Sequence, residues 1–354
     1  MKNINIFKEK KMKLFFKGYY GFENLGDDIF VHTAVWFCKR YQYEYLIHGY
    51  NLPSGVRGKK VTNKCNKYLT DIIYSIKSDY IIYWGGSTFE RISSKTDLKY
   101  YLNKLKFLKK KVLTMGISIG PFKSEKRKKE VINFINRIKF SGVRDKASLE
   151  YSNSSIFTFD LAIITPLIFP VNEQRKDKLK FQKEYVITLN ISNADNFNEY
   201  INIYKEFLLK NKKQIKEINL VVFNPNDYEI SLSLYNEFKN MFNNINLIEY
   251  TNDTKYIIEK IATSDLVLGN RLHSAIIAYS YNIPFILNEY HKKCSDFLDT
   301  IDMKYKYRDL KNGENINITE VIDKTSNFIN PRYFREILLK KMDQLAKVIY
   351  NENL

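Results

Sequence analysis

Short apolar runs alternate with amphipathic stretches along nearly the whole chain. Residues 13–17, 43–48 and 80–84 read as strands, while Ile29, Phe30, Ala34, Val35 and Cys38 mark the apolar side of a helix and 67–76 has helical spacing. The rhythm continues through a helix at 98–108, a strand at 111–115, a turn at 116–121, a helix at 125–138 and a short strand near Gly142. It breaks at Asp160-Leu161-Ala162, Pro166, Pro170 and the charged stretch 173–184. It restarts with strands at 185–191, 218–223, 245–250, 264–268 and 284–287, separated by helices at 196–209, 228–241, 255–262 and from about Arg271. Another helix begins near 295–298, and apolar spacing over 332–349 predicts a long closing helix. Apolar strands alternating with helices predict parallel sheets covered on both faces. The expected architecture is α/β: an extension at 1–11, a Rossmann-like unit at 12–170, a linker at 171–184, a second Rossmann-like unit at 185–330 and a terminal helix at 331–354. Two such units in a GT-B-like arrangement would turn their strand C-termini towards a shared cleft.

Composition narrows the picture. A chain of 354 residues exceeds one typical core, and 44% hydrophobic content excludes global disorder. The net charge of +18 is almost all lysine, scattered through a sequence also rich in Asn, Ile and Tyr. Without an Arg-rich block it reads as the composition of an AT-rich bacterial genome, with attraction to anionic substrates or membrane headgroups, and no nucleic-acid partner is expected. Three cysteines without paired spacing predict neither disulfides nor a zinc site. The polar start and the lack of an apolar run near ~18 residues predict a cytoplasmic protein, peripheral at most to the inner face of the membrane.

Candidate chemistry gathers at strand-to-helix turns. In Leu268-Gly-Asn-Arg271-Leu-His273-Ser274, Asn270 is the expected N-cap, placing Arg271 and His273 in a first turn whose free N–H groups and dipole favour an anion. The plain alternative is a surface arginine and a half-buried histidine at an ordinary turn. Gly18-Tyr-Tyr-Gly21-Phe-Glu-Asn24-Leu-Gly26-Asp27-Asp28 is a strand, glycine loop and helix without dinucleotide-binding spacing. Its two aspartates suit a helix dipole, and Asp27 also suits a hydrogen-bond acceptor or general base for a sugar hydroxyl. Gly85-Gly86-Ser87-Thr88 reads as a second small-residue loop, and Arg144 sits at another strand-to-helix turn as an anion contact or an ion pair. No metal-ligand spacing is present. His32, His48 and His291 read as structural or surface residues.

Arg271-x-His273, with Pro284, Tyr290 and Lys293 eleven, seventeen and twenty residues after the histidine, resembles the C-terminal signature of the polysaccharide pyruvyltransferase family. Asn24-Leu-Gly26-Asp27 resembles its Asn-x-Gly-Asp loop, Gly85-Gly86-Ser87 departs from a Gly-Gly-Gly segment only at Ser87, and Val143-Arg144-Asp145 and Asp160-Leu161-Ala162 are similar to further family patterns. The resemblance runs from about Lys13 to Phe297. It implies transfer of pyruvate from phosphoenolpyruvate to two hydroxyls of a sugar in a bacterial surface polysaccharide or its lipid-linked precursor, giving a cyclic ketal. Arg144, Arg271, His273 and Lys293 would hold phosphoenolpyruvate, a donor substrate needing no other cofactor or metal. His273 would protonate the enol carbon and Asp27 would act as base, with His273 its rival. Asn24, Asp27, Gly86 and Ser87 would meet the acceptor. Two rivals stand beside this reading. A nucleotide-sugar glycosyltransferase often carries Glu-x7-Glu, and here Tyr281 and Phe297 occupy those offsets from Glu289. A non-catalytic saccharide-associated protein would have no use for Arg271, His273 and Lys293 together.

Overall fold

Thirteen strands among the described residues form two large parallel sheets and one small ribbon. The structure is a computed structural model and describes residues 11–92, 97–104, 111–171, 184–192, 197–312 and 317–351. The first sheet contains β1 (Lys13–Lys17), β2 (Glu44–Leu46), β5 (Tyr80–Phe89), β6 (Val112–Ile119), β7 (Ser141–Val143) and β8 (Ser155–Phe157), in the order β2-β1-β5-β6-β7-β8. The second contains β9 (Tyr185–Asn190), β10 (Ile215–Val221), β11 (Ile245–Ile248), β12 (Leu266–Gly269) and β13 (Phe285–Leu287), in the order β11-β10-β9-β12-β13. The ribbon pairs β3 (His48–Gly49) with β4 (Lys59–Lys60). Every residue of β6 and β9 is buried, as helices on both faces of a parallel sheet require. The strand order reverses between β1 and β5 in one sheet and between β9 and β12 in the other, which are the places where loops diverge and open a crevice.

The helices used below are α1 (Leu25–Tyr41), α2 (Lys64–Lys77), α3 (Leu98–Lys104), α4 (Leu272–Ser280), α5 (Lys292–Thr300) and α6 (Pro331–Asn351). Helix α1 begins where the Asn24 side chain accepts from Gly26 N at 3.1 Å, with Asp27 and Asp28 in its first turn and Lys39 and Arg40 in its last. The closing helix α6 returns to the first half. Its Leu338, Met342, Leu345 and Ile349 share a core with Leu14, Phe30 and Phe37, and Arg335 bridges Ile163 O at 3.3 Å and Ser280 O at 2.7 Å.

Several expected boundaries move. The glycine segments at 85–88 and 116–119, read as loops, are the ends of β5 and β6. Gly85 has φ +73°, the register shifts between Gly86 and Phe89, and a Cβ at Gly85 would lie 2.6 Å from the Phe30 ring. The glycine therefore bends the strand beneath α1, a bulge beside the crevice. The expected strand at 43–48 is split into β2 and β3, and α5 starts earlier than expected. The extension at 1–10, the end of the 98–108 helix and most of the 171–184 linker lie outside the described residues. Among the described residues, no helix is long and apolar enough to cross a membrane.

Candidate active site

The two switch points face one cavity of about 1100 Å3. From the first half it is lined by Asn24, Asp27, Gly86, Ser87 and Arg144, and from the second by Arg271, His273 and Lys293. All eight residues picked out in the sequence are brought together.

Strand β12 delivers Arg271 and His273. Arg271, rather than Asn270, occupies the N-cap position of α4, and it caps with no side-chain bond. Asn270 is fully buried and neither polar atom of its side chain has a partner, so its expected capping role is corrected. Arg271 N instead donates to the Asn190 side chain at the end of β9, at 3.0 Å. The Arg271 guanidinium grips Asp227 in a fork, Nε to Oδ2 at 2.5 Å and Nη2 to Oδ1 at 2.7 Å. Asp227 is 1% exposed and lies 44 residues earlier, so only the folded chain reveals the pair.

Arg144 is buried and held by Ser118 Oγ at 2.6 Å, Asp160 Oδ2 at 3.0 Å and Ser87 Oγ at 3.1 Å. It ties together the ends of β5 and β6 and the turn after β8. Lys293 differs. Among the described residues it has no carboxylate partner within ion-pair distance. It sits in the first turn of α5, where the His291 side chain accepts from Lys293 N at 3.2 Å, giving that histidine a capping role. Burial lowers the Lys293 pKa, with Arg144 and Arg271 pushing the same way and Asp27 opposing.

His273 is where the halves meet. A Cβ on Gly26 would lie 2.0 Å from His273 Nδ1, so only glycine lets the N-terminus of α1 approach this ring. Phe30 meets the imidazole edge-on at 5.1 Å, and Asp160 Oδ2 stands 3.9 Å from Nε2, which has no hydrogen-bond partner. Leu25 N donates to Phe223 O at 3.0 Å, and Tyr250 donates to Asp28 at 2.7 Å, fixing the same junction. Burial, aided by Arg144, Lys293 and Arg271, pulls the His273 pKa down to about 4 against Asp160. Burial and then Asp28 push Asp27 up to about 7, against Arg144 and Lys293. Burial thus favours a neutral imidazole and a protonated Asp27, the reverse of a cationic histidine facing an ionised aspartate.

Residues the sequence reading passed over complete the cavity. At its far end Lys17 and His48 converge on Asp71 at 2.5 and 2.6 Å, and Lys67 reaches it at 3.4 Å. His48 is buried against Asp71, and His32 is half-buried, edge-on to Phe169 at 5.0 Å. Tyr19, 58% exposed, stacks on Phe22 with ring centres 4.0 Å apart, and both line the cavity. The only signal for this platform was a pair of aromatics within the glycine loop. No group of three or more His, Cys, Asp or Glu residues suited to a metal ion occurs among the described residues.

Paired parallel-sheet units with a cation-lined cavity between their switch points define a GT-B-type fold with a ligand cleft. Solved structures with this fold align along most of the chain. A putative UDP-N-acetylglucosamine 2-epimerase from Listeria monocytogenes is 11% identical with a TM-score of 0.59, covering 97% of this chain and 98% of that one. The Neisseria meningitidis UDP-GlcNAc 2-epimerase bound to UDP-GlcNAc is 12% identical with a TM-score of 0.58, covering 96% and 100%. S. aureus MnaA with UDP is 14% identical with a TM-score of 0.55, covering 91% and 92%. These likenesses establish the fold. The polysaccharide pyruvyl transferase family matches residues 24–292, and the chain belongs to that family. The match runs from Asn24 through the Arg271-x-His273 turn and ends one residue before Lys293. Among curated proteins no match was found.

Proposed function

We propose that the protein transfers pyruvate from phosphoenolpyruvate to two hydroxyls of one sugar, forming a pyruvate ketal on a surface polysaccharide or its precursor. The observation that carries this reading is Lys293, a half-buried cation with no carboxylate partner among the described residues, beside Arg271 and His273 and opposite Asp27. A donor bearing both phosphate and carboxylate supplies the missing negative charge. The Asp227 fork uses Nε and Nη2 of Arg271 and leaves the Nη1 edge for a donor oxygen. Arg144, engaged on three sides, acts through its field and by holding Ser87 in place. These side chains balance the donor's charge, and the proposal includes no metal or further cofactor.

The raised Asp27 pKa and the lowered His273 pKa support the following proton transfers. Asp27, kept partly protonated and raised further by an anionic donor, gives its proton to C3 of the enol, creating an oxocarbenium-like C2. Neutral His273 takes the proton of the first sugar hydroxyl as its oxygen bonds to C2. The C2–O bond to phosphate then breaks, the second hydroxyl closes the ketal, and its proton leaves with inorganic phosphate. His273 then returns its proton to Asp27, so of the two hydroxyl protons one replaces the proton given to C3 and the other leaves on inorganic phosphate. This exchanges the acid and base roles first read for His273 and Asp27. Asn24, Gly86, Ser87 and the Tyr19–Phe22 platform would hold the sugar. Phosphoenolpyruvate is a cytoplasmic metabolite, and the reaction is placed there.

Thermal shift tests the donor without a known acceptor, because a ligand bound only by the native state raises its apparent stability. Phosphoenolpyruvate is expected to stabilise the wild type but not Lys293→Ala. Stabilisation by UDP-GlcNAc with no response to phosphoenolpyruvate would overturn the reading.

A further inference from the structure

Helix α2 is folded inside out. It carries Leu69, Ile72, Ile73 and Ile76 at the i, i+3, i+4, i+7 spacing that ordinarily faces a core. Its buried positions are instead Thr70, Asp71 and Ser75, while Leu69 is 52% exposed, Ile72 36%, Ile73 41% and Ile76 69%. Isolated exposed apolar side chains are ordinary, but four along one helix face form a patch of the kind that marks an interaction surface. The helix is held in this orientation by its polar side. Asp71 binds Lys17 at 2.5 Å and His48 at 2.6 Å, and these partners stand on β1 and β3.

The surroundings of the stripe indicate what covers it. Lys64 and Lys77 are exposed at the two ends of α2, Arg57 and Lys60 are exposed in the segment leading into it, and Lys104 is exposed on the neighbouring α3. Asp71, the one carboxylate of the helix, points inward. An apolar stripe rimmed by cations matches a lipid interface with anionic headgroups. A second copy fits poorly, because a two-fold contact would set the same basic rim against itself. The adjoining edge of α2 supplies Lys64, Lys67 and Tyr68 to the cavity.

We propose that α2 is a membrane-docking helix whose Leu69–Ile76 stripe enters the interface of an anionic bilayer while the flanking lysines meet the headgroups. Docking there turns the first wall of the cavity towards saccharide carried at the membrane. The proposal goes beyond the reaction above and does not depend on its donor.

The protein carries its own probe site. Cys65 is exposed at the start of the stripe, where it also borders the cavity, whereas Cys38 and Cys294 are buried. An environment-sensitive fluorophore on Cys65 is expected to shift to the blue with vesicles of phosphatidylcholine and phosphatidylglycerol, far less with phosphatidylcholine alone, and less as salt rises. In co-sedimentation of unlabelled protein, Ile73→Asp/Ile76→Asp is expected to lower partitioning onto the mixed vesicles at least about tenfold. These positions are solvent-facing, so the variant should keep its circular dichroism and any thermal response to phosphoenolpyruvate. Failure of the wild type to bind mixed vesicles, or equal binding by the folded variant, overturns the proposal. So does a blue shift that grows with protein concentration without vesicles and accompanies a dimer mass in light scattering, which would give the stripe to a second copy.

Discussion

The two walls of the cavity are built alike and charged differently. Each comes from a parallel sheet at its switch point, and each presents the first turn of a helix, α1 on one side and α4 on the other. The second wall offers cations, with Arg271 reaching in beside Lys293. The first mixes cations such as Lys17, Lys67 and Lys99 with the carboxyls of Asp27, Asp71 and Asp97, and adds a hydroxyl and aromatic faces in Ser87, Tyr19 and Phe22. Of its two arginines, Arg91 is exposed and Arg144 is turned to Ser118, Asp160 and Ser87. On the proposed reaction, the second wall takes the anionic donor and the first the sugar. The fold alone does not determine chemistry.

The sharpest break in the comparison is Asp27→Asn. If the first wall supplies the proton, kcat should fall roughly 10²–10⁴-fold while donor-induced stabilisation persists, as calorimetry beside single-turnover kinetics can show. Next comes Lys293→Ala, expected to weaken phosphoenolpyruvate binding by about 2–3 kcal/mol, roughly 30–150-fold, because it removes a charged hydrogen-bond donor. An equal loss of acceptor binding would show that the walls do not divide the substrates. Tyr19→Ala should touch only the acceptor, raising its KM by about 3–10-fold, the scale of one lost aromatic contact, with the donor Kd unchanged. The last prediction concerns stability. Asp28 is pushed up to about 7 by burial, opposed by the Tyr250 hydrogen bond. Its unfolded value is near ~3.9, so the native state holds the extra proton between these values. The resulting stabilisation is complete below about pH 4 and is lost as pH rises to about 7. Asp28→Asn should therefore raise Tm at pH 8 and leave it nearly unchanged at pH 4, which differential scanning calorimetry can follow.

The alternation of strands and helices was legible because apolar periodicity is local, and the turns carrying Asp27 and Arg271 were legible because glycine and asparagine mark strand ends. The same glycines misled at Gly85 and Gly116, where positive φ sits within a strand because a side chain packs overhead. Asp227 was invisible as a site residue because its partner is distant in sequence. The pKa shifts of His273 and Asp27 were invisible because burial and neighbours distant in sequence, such as Asp160 and Arg144, cause them. Helical spacing showed that α2 is a helix, but spacing does not tell inward from outward, and the Asp71 network decided that.

The return of α6 to the first half bears on synthesis. Tyr41 donates to Asp343 at 2.5 Å and Tyr43 to Ala346 O at 3.2 Å, so one of the earliest helices leans on one of the last. While the chain emerges from the ribosome, Phe157 and Phe159 lack Phe334, their ring partner at 6.2 and 4.3 Å, until almost the whole protein has been made. The nascent first half must carry this uncovered aromatic surface throughout translation of the second, the interval in which chaperones and aggregation compete for such chains.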